Sequence, residues 1–135
     1  MDNCVFCQIV AKKIPANVVY EDQDFLAFLD IRPLTRGNTL VIPKKHYRWV
    51  IDVDSFGDYW QAAKKVARGI EAAFSPEWTC FLTLGLEVDH AHIRVIPRYK
   101  NDLHGVVVDI DKFENYDQET MDQISETIKS KIGGV

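Results

Sequence analysis

The chain has 135 residues, of which 47% are hydrophobic and 27% charged, and it is long enough for one domain, 1–135, with a sizeable core. A formal net charge of −4 argues against a primary role on nucleic acid or on an anionic membrane. No apolar run reaches the length of a membrane span. The first residues carry no basic segment followed by an apolar stretch, so we expect no signal peptide and a cytoplasmic location.

Apolar runs broken by prolines and acidic turns predict the elements of the first half of the chain. We predict a short helix over 7–13 that ends before Pro15. Strands are predicted over 18–21 and 25–29, joined by a turn over 22–24. A loop over 33–37 then leads to a third strand over 39–42, which ends at Pro43.

A long helix is predicted from a cap at Asp54 or Ser55 to Phe74, with Pro76 just beyond its end. Residues spaced three and four apart give it one apolar face, made of Phe56, Trp60, Ala63, Ala67, Ile70 and Phe74. Further strands are predicted over 78–83, 88–96 and, as a short one, 106–110. Asp117 is expected to cap a last helix whose buried stripe is Met121, Ile124, Ile128 and Ile132.

The order of these elements indicates the fold class. The strands come in adjacent groups, and helices interrupt them only twice. Short turns favour antiparallel pairing, and few helices are available as crossovers for a parallel sheet. We therefore expect an α+β fold with helices on one side of an antiparallel sheet.

The predicted strand over 88–96 carries an unusual set of side chains. Because side chains alternate along a strand, His90, His92 and Arg94 should share one face. The residues between them should face the core. Three such polar groups are costly to bury without partners, so they should face a cleft, a metal or an anion. The alternative is a solvated strand face that happens to hold three polar residues.

Two of the three cysteines form a C-x-x-C pair, Cys4 and Cys7, with the spacing found in zinc sites. A redox role is less favoured, because no strand precedes the pair. His46 and His90 are candidates for the other two ligands, which would complete a closed, structural S₂N₂ zinc site. The alternative is a thiol pair without a metal. The third cysteine, Cys80, lies in an apolar run and is expected to be a buried core thiol.

The segment His90-Ala91-His92-Ile93-Arg94-Val95-Ile96 resembles the signature of the histidine-triad (HIT) family of nucleotide hydrolases and transferases, His-x-His-x-His followed by two apolar residues. The resemblance covers most of the chain, in the family's order and spacing. Matching blocks are CVFC at 4–7 with Ile9, IP at 14–15, VYED at 19–22, AFLDIRP at 27–33 and GNTLVIPKKH at 37–46.

The resemblance implies a five-stranded antiparallel sheet with two principal helices, to which the predicted C-terminal helix would be added, and a homodimer. It places zinc ligands at Cys4, Cys7, His46 and His90, in agreement with the spacing argument. It makes the middle histidine, His92, the nucleophile that attacks the α-phosphate of a nucleotide. It also places Asp30 and Ile31 in the segment that lines the nucleoside and ribose pocket.

The sequence departs from the family pattern at the third histidine, which is Arg94. Arginine can hold phosphate oxygens in two parallel hydrogen bonds, but it stays protonated and is a poor general acid. We therefore expect catalytic His92 and Arg94 to favour leaving groups that depart as stable anions. Gly85 lies in a shortened link before the triad, and Glu87 stands where a hydroxyl or amide often contacts phosphate. A carboxylate there would repel phosphate unless Arg94 or Arg98 pairs with it.

Two functions from different classes follow. The first is a nucleotidyl hydrolase or transferase whose nucleotide site includes Asp30, Ile31, Gly85, Glu87 and Arg94. The second is a nucleotide-binding or dimeric interaction protein that keeps the fold and the zinc but not the activity. A zinc-dependent regulator of nucleic acid is disfavoured because the chain is acidic and has no basic stripe. His104 is expected to be a surface or loop histidine.

Overall fold

A computed structural model of the chain describes residues 3–133. Along the chain the elements are α1 (Val5–Val10), β1 (Val18–Glu21), β2 (Phe25–Leu29), β3 (Thr39–Pro43), a short 3-10 helix (Val50–Asp52), α2 (Phe56–Phe74), β4 (Trp78–Leu82), β5 (Ile93–Arg98) and α3 (Gln118–Gly133). The expectation of one domain over 1–135 stays a prediction, and its residues 1, 2, 134 and 135 lie outside the described part. Within residues 3–133, no helix is both long enough and apolar enough to cross a membrane.

The five strands form one antiparallel sheet in the order β1-β2-β3-β5-β4. The predicted α+β class and five-stranded sheet are confirmed. β1 and β2 have the predicted bounds, because an acidic turn lies between two apolar runs there: Asp22 Oδ1 accepts the backbone N–H groups of Asp24 and Phe25.

One face of the sheet packs against α2 and α3. Alternate residues of the strands, such as Ala27, Val41 and Ile93, are fully buried there against the apolar sides of both helices. Asp117 caps α3 as predicted, since its Oδ1 accepts the N–H of Thr120 at 2.8 Å. Of the predicted stripe, Met121, Ile124 and Ile128 are buried, and Ile132 is partly buried.

The opposite face of the sheet is covered by α1, so the expectation that all helices lie on one side is wrong. Phe6 of α1 enters a second cluster formed by Leu26, Phe28, Leu40 and Ile42. Helix α1 begins at Val5, earlier than predicted, because Cys4 caps it: its Sγ accepts the N–H of Cys7 at 3.4 Å. The helix ends at Val10, and Lys12 soon after has a positive φ of 63°.

The buried face of α2 includes the predicted Ala63, Ala67 and Ile70, but its other members differ from the prediction. Ser55 is the N-cap residue and the helix ends at Phe74, as expected. Tyr59, Ala62 and Val66 are buried, however, whereas Phe56 is exposed and Trp60 packs against Phe81 of β4. The hydroxyl of Tyr59 donates to the carbonyl of Val41 at 2.7 Å, which draws this side of the helix onto β3.

Strand β5 begins at Ile93 and not at residue 88, so His90 and His92 lie outside the ladder. Pairing with β3 joins Val41 to Ile93, and the same register would place Pro43 opposite Ala91. Proline has no N–H to donate, and its carbonyl accepts from His90 instead. Ala91 N–H donates to the carbonyl of Tyr47 at 2.7 Å, so the chain leaves the sheet at this point.

The predicted strand over 106–110 is absent from the described residues. This stretch belongs to a long loop between β5 and α3. Val106 and Val107 are exposed there, because backbone groups of the loop are held by Arg98 and Asp102. Arg98 Nη1 donates to Val106 O, and Asp102 accepts Arg98 Nε at 2.9 Å. His104 is a loop histidine, as expected: it bridges the N–H of Asp109 and the carbonyl of Leu34.

Candidate functional site

The segment between β4 and β5, residues 83–92, carries the two histidines and passes over the end of β5. His90 and His92 are both buried, and both meet the ring of Phe6 edge-on, with ring centroids 5.8 and 5.4 Å away. Arg94 lies opposite Leu40 of β3 and so faces the same side. The predicted common face for His90, His92 and Arg94 therefore exists, although only Arg94 is on a strand.

The side chain of His92 is held by the backbone of His90. The two groups are His92 Nδ1 and the carbonyl of His90, 2.8 Å apart, and a carbonyl can only accept. Nδ1 therefore carries the proton, and Nε2 has the free lone pair. Burial lowers the pKa of His92, while its bond to His90 acts in the opposite direction. A neutral imidazole with a fixed tautomer is suited to act as a nucleophile.

Three charged groups lie within electrostatic reach of His92: Arg94, Asp30 and Glu87. Arg94 Nη2 is 3.1 Å from Glu87 Oε2, and Arg94 Nη1 is 3.9 Å from Asp30 Oδ2. Burial raises the pKa of Asp30, against the opposing effects of the Arg32 N–H and the Arg94 guanidinium. The Nε of Arg94 is buried and has no hydrogen-bond partner among residues 3–133.

A second cluster lies beside this one and contains the four predicted metal ligands. Donor atoms of Cys4, Cys7, His46 and His90 all lie within 4.8 Å of one another. Cys4 Sγ and Cys7 Sγ are 3.4 and 3.5 Å from His90 Nδ1, and Cys7 Sγ is 3.3 Å from His46 Nδ1. A tetrahedral zinc ion with bonds of about 2.0–2.3 Å holds its ligand atoms about 3.3–3.8 Å apart. The donor set and its spacing therefore fit a metal of this kind.

His90 presents the correct nitrogen to this cluster. Its Nε2 is 2.8 Å from the carbonyl of Pro43, so Nε2 carries the proton and Nδ1 is free to bind a metal. Burial lowers the pKa of His90 to about 4, which favours the neutral, ligating form at pH 7. His90 thus belongs to both clusters: its side chain is one of the four predicted metal ligands, called the ligand cluster, and its carbonyl orients His92.

The remaining predicted site residues are placed as follows. Asp30 is buried just after β2, and its Oδ1 accepts the N–H of Arg32 at 2.9 Å. Ile31 next to it is 86% exposed. Gly85 has a φ of +73° and packs against the ring of Trp49, which leaves little room for a side chain. Cys80 is half-buried, contrary to the expected core thiol, and it does not belong to the metal cluster.

Sequence patterns did not indicate Phe6 and Arg48 as parts of the site. Phe6 of α1 contacts both histidine rings edge-on. Arg48 Nη1 donates to the carbonyl of Gly85 at 2.8 Å, and Arg48 Nε is 3.4 Å from Asp89. The position of Arg48, two residues after His46, carries no periodic signal. A bond to a backbone carbonyl cannot be read from residue types.

The HIT domain family model matches residues 11–101, and the chain belongs to this family. It is 39% identical to the Protein hit of Bacillus subtilis over 97% of this chain and 95% of that protein. Among solved structures, a hypothetical histidine triad nucleotide-binding protein of Sulfolobus tokodaii is similar, with a TM-score of 0.85 and 28% identity over 97% of this chain and 93% of that one.

A Zn-bound histidine triad family protein of Mycobacterium smegmatis is also similar in structure. Its TM-score is 0.82 and its identity is 28%, over 98% of this chain and 95% of that chain. These similarities confirm the resemblance to the HIT family and its fold.

The cluster around His90 predicts that the purified protein carries one metal ion per chain. Cys7→Ser should lose the ion and lower the melting temperature by about 10 °C, because a tightly bound ion contributes about 2–4 kcal/mol to stability. Cys80→Ser is the matched control and should keep the metal. Metal content by mass spectrometry and melting with and without a chelator measure both. A wild type that is metal-free after purification in the presence of zinc would contradict the prediction.

Proposed function

We propose that the protein is a nucleotide hydrolase or nucleotidyl transferase in which His92 attacks the α-phosphate of a nucleotide, such as a dinucleoside polyphosphate. The observation that supports it most directly is the 2.8 Å contact between His92 Nδ1 and the carbonyl of His90. This contact leaves Nε2 as the free nucleophile. We further propose that the reaction takes place in the cytoplasm.

In the first step, the Nε2 lone pair forms a bond to phosphorus, and the bond from phosphorus to the leaving group breaks. The leaving group departs with the electron pair, and a nucleotidyl-histidine results. In the second step, water or another acceptor attacks the same phosphorus and loses a proton. The P–N bond breaks and neutral His92 is restored.

Arg94 is the proposed catalytic partner of His92. Its guanidinium would bind the phosphate oxygens and the negative charge that gathers on them in the transition state. The Nε of Arg94, which has no acceptor among residues 3–133, supports this role, since a buried donor without an acceptor is costly to maintain. Arg94 would not protonate the leaving group, because a guanidinium does not give up its proton in proteins.

The nucleoside is proposed to bind beside Asp30, Ile31 and Gly85. Asp30 offers a carboxylate that can accept hydrogen bonds from hydroxyls of a ribose. The exposed side chain of Ile31 provides apolar surface for a base. Gly85 would lie at the edge of this pocket, where its lack of a side chain lets the backbone pack against the ring of Trp49.

A second candidate is a nucleotide-binding protein without turnover. The contact between Glu87 and Arg94 favours it, because a carboxylate already pairs with the proposed phosphate-binding group. In this case the metal cluster and the nucleoside pocket would persist, while attack by His92 would not occur.

The ion at Cys4, Cys7, His46 and His90 is proposed to be zinc with a structural role. Two thiolates and two imidazoles are a preferred zinc donor set, and four protein ligands leave no position open for substrate. The zinc-bound relative of Mycobacterium smegmatis supports this identity. The zinc ion would hold the side chain of His90 in place, and it would thereby also fix the His90 carbonyl that orients His92.

The protein is proposed to form a homodimer through the free edge of β4. Within the described residues, β4 pairs with β5 on one side only. Trp78 and Phe81 on this strand and Leu84 and Leu86 just after it are all more than a third exposed. An apolar strand edge of this kind favours pairing with a second copy.

His92→Ala separates the two candidate functions. In an enzyme, the substitution should lower kcat on a dinucleoside polyphosphate by at least about 10³-fold, because the covalent step is lost. Metal content should stay at the wild-type value, since His92 is not one of the four predicted ligands. A wild type with no turnover of any nucleotide tested would leave the non-catalytic candidate.

Arg94 stands where the HIT family has its third histidine, and this difference predicts a preference among leaving groups. Diadenosine tetraphosphate should turn over faster than an adenosine phosphoramidate, because an amine needs a proton that Arg94 does not supply. Arg94→His is expected to raise phosphoramidate turnover relative to that of the polyphosphate. Steady-state kinetics on both substrates measure the ratio. Faster phosphoramidate cleavage by the wild type would contradict the assignment.

The dimer predicts a solution mass of twice the 15.5 kDa of the chain in light scattering. Phe81→Glu should shift the mass towards that of the monomer, because it places a charge on the apolar edge of β4. A monomeric wild type at micromolar concentration would contradict the dimer.

A further inference from the structure

The stretch of residues 83–89, called here the strap, has no regular secondary structure and is held by two arginines. Arg48 fastens it at two points, the carbonyl of Gly85 and the carboxylate of Asp89. The Arg48 guanidinium also lies 3.7 Å from the centroid of the Trp49 ring, against which Gly85 packs. The strap is therefore anchored on both sides of Glu87.

Between these anchors, Glu87 reaches the second arginine, Arg94. The two side chains differ in exposure: that of Glu87 is 52% exposed and that of Arg94 only 9%. A half-exposed carboxylate can exchange its ion pair for water at low cost. The buried guanidinium cannot reach water in the same way, so it needs a neighbouring anion to accept its hydrogen bonds and balance its charge.

The pairing leaves Arg94 incompletely satisfied. Asp30 is 3.9 Å away from Nη1, which is beyond hydrogen-bond distance, and Nε has no partner among residues 3–133. A phosphate group carries several acceptor oxygens and can bind two N–H groups of a guanidinium at once. It could therefore satisfy Arg94 more fully than Glu87 does.

We propose that Glu87 is an internal competitor for the anion subsite at Arg94. Its carboxylate pairs with the guanidinium in the free protein, and a nucleotide phosphate binds by displacing it. The proposal rests on the proposed function in one respect, namely that Arg94 is the group that contacts phosphate. No covalent bond changes, because one ion pair is exchanged for another.

The competitor sets the affinity for the phosphate part of a ligand and leaves the nucleoside part unaffected. A ligand that binds only the open form has its affinity reduced by the fraction of molecules that are open. If Glu87 pairs with Arg94 in about nine molecules of ten, the dissociation constant is raised about tenfold. Removing the charge of Glu87 should recover that factor.

The test measures binding of AMP to the full-length, metal-loaded protein by calorimetry at fixed ionic strength. Glu87→Gln keeps the shape of the side chain and removes its charge, and it should tighten AMP about tenfold. Adenosine, which lacks the phosphate, should bind both forms equally. Asp89→Asn is the matched control: it removes the same charge from the same strap, but it faces Arg48, and it should change AMP affinity less than about twofold.

Several results would overturn the proposal. One is an AMP affinity of Glu87→Gln that is unchanged or weaker than that of the wild type, including the case in which neither binds AMP. The second is an equal gain in Asp89→Asn, which would show only a general effect of charge. The third is a crystal structure with AMP in which Glu87 still pairs with Arg94. The test of this proposal measures binding, whereas the His92→Ala assay measures turnover. The proposed catalysis can therefore fail while the competition holds, and the competition can fail while the catalysis holds.

Discussion

The contact between the His90 carbonyl and His92 Nδ1 is the interaction on which the rest of the site depends. It fixes which nitrogen of His92 is free. The bond comes from the backbone of His90, whose side chain belongs to the ligand cluster. His90 is held by the carbonyl of Pro43 on one side and by the cysteine cluster on the other. The orientation of the proposed nucleophile is therefore fixed by the sheet and by the ligand cluster together, and not by a flexible loop.

This arrangement explains why two buried imidazoles can lie next to each other. Burial lowers the pKa of both rings, which favours their neutral forms, and no carboxylate within residues 3–133 hydrogen-bonds to either ring. Phe6 covers them from α1 and excludes water, which strengthens the nearby interactions with Arg94 and Asp30. The charged groups around His92 are the guanidinium of Arg94 and the carboxylates of Asp30 and Glu87, both of which lie beside that guanidinium. In the proposed function an anion binds at Arg94, and the carboxylate of Glu87 opposes its entry.

The sequence predicted the elements whose signals are local. The strands over 18–21 and 25–29 were found because a turn with two aspartates lies between two apolar runs, and Asp117 marked the start of α3. The four clustered ligands were also predicted from the sequence, because C-x-x-C spacing together with histidines is typical of zinc sites. The burial of Tyr59 was missed because it depends on a bond to Val41 of another element. The apolar run over 106–110 suggested a strand, but Arg98 and Asp102 hold it in a loop.

The most informative error concerns the strand predicted over 88–96. Alternation along the chain correctly grouped His90, His92 and Arg94 on one face, and Ala91 between the histidines is buried in the opposite core cluster. What the pattern could not show is that the ladder stops at Ile93, because the reason lies in the partner strand, where Pro43 has no N–H to offer. A ladder bond at that position would have joined the Ala91 N–H to the Pro43 carbonyl, which instead binds His90, while Ala91 donates to Tyr47. Because the chain leaves the sheet early, the Pro43 carbonyl binds the His90 ring and the His90 carbonyl binds His92, so the irregular stretch fixes the orientation of both histidines.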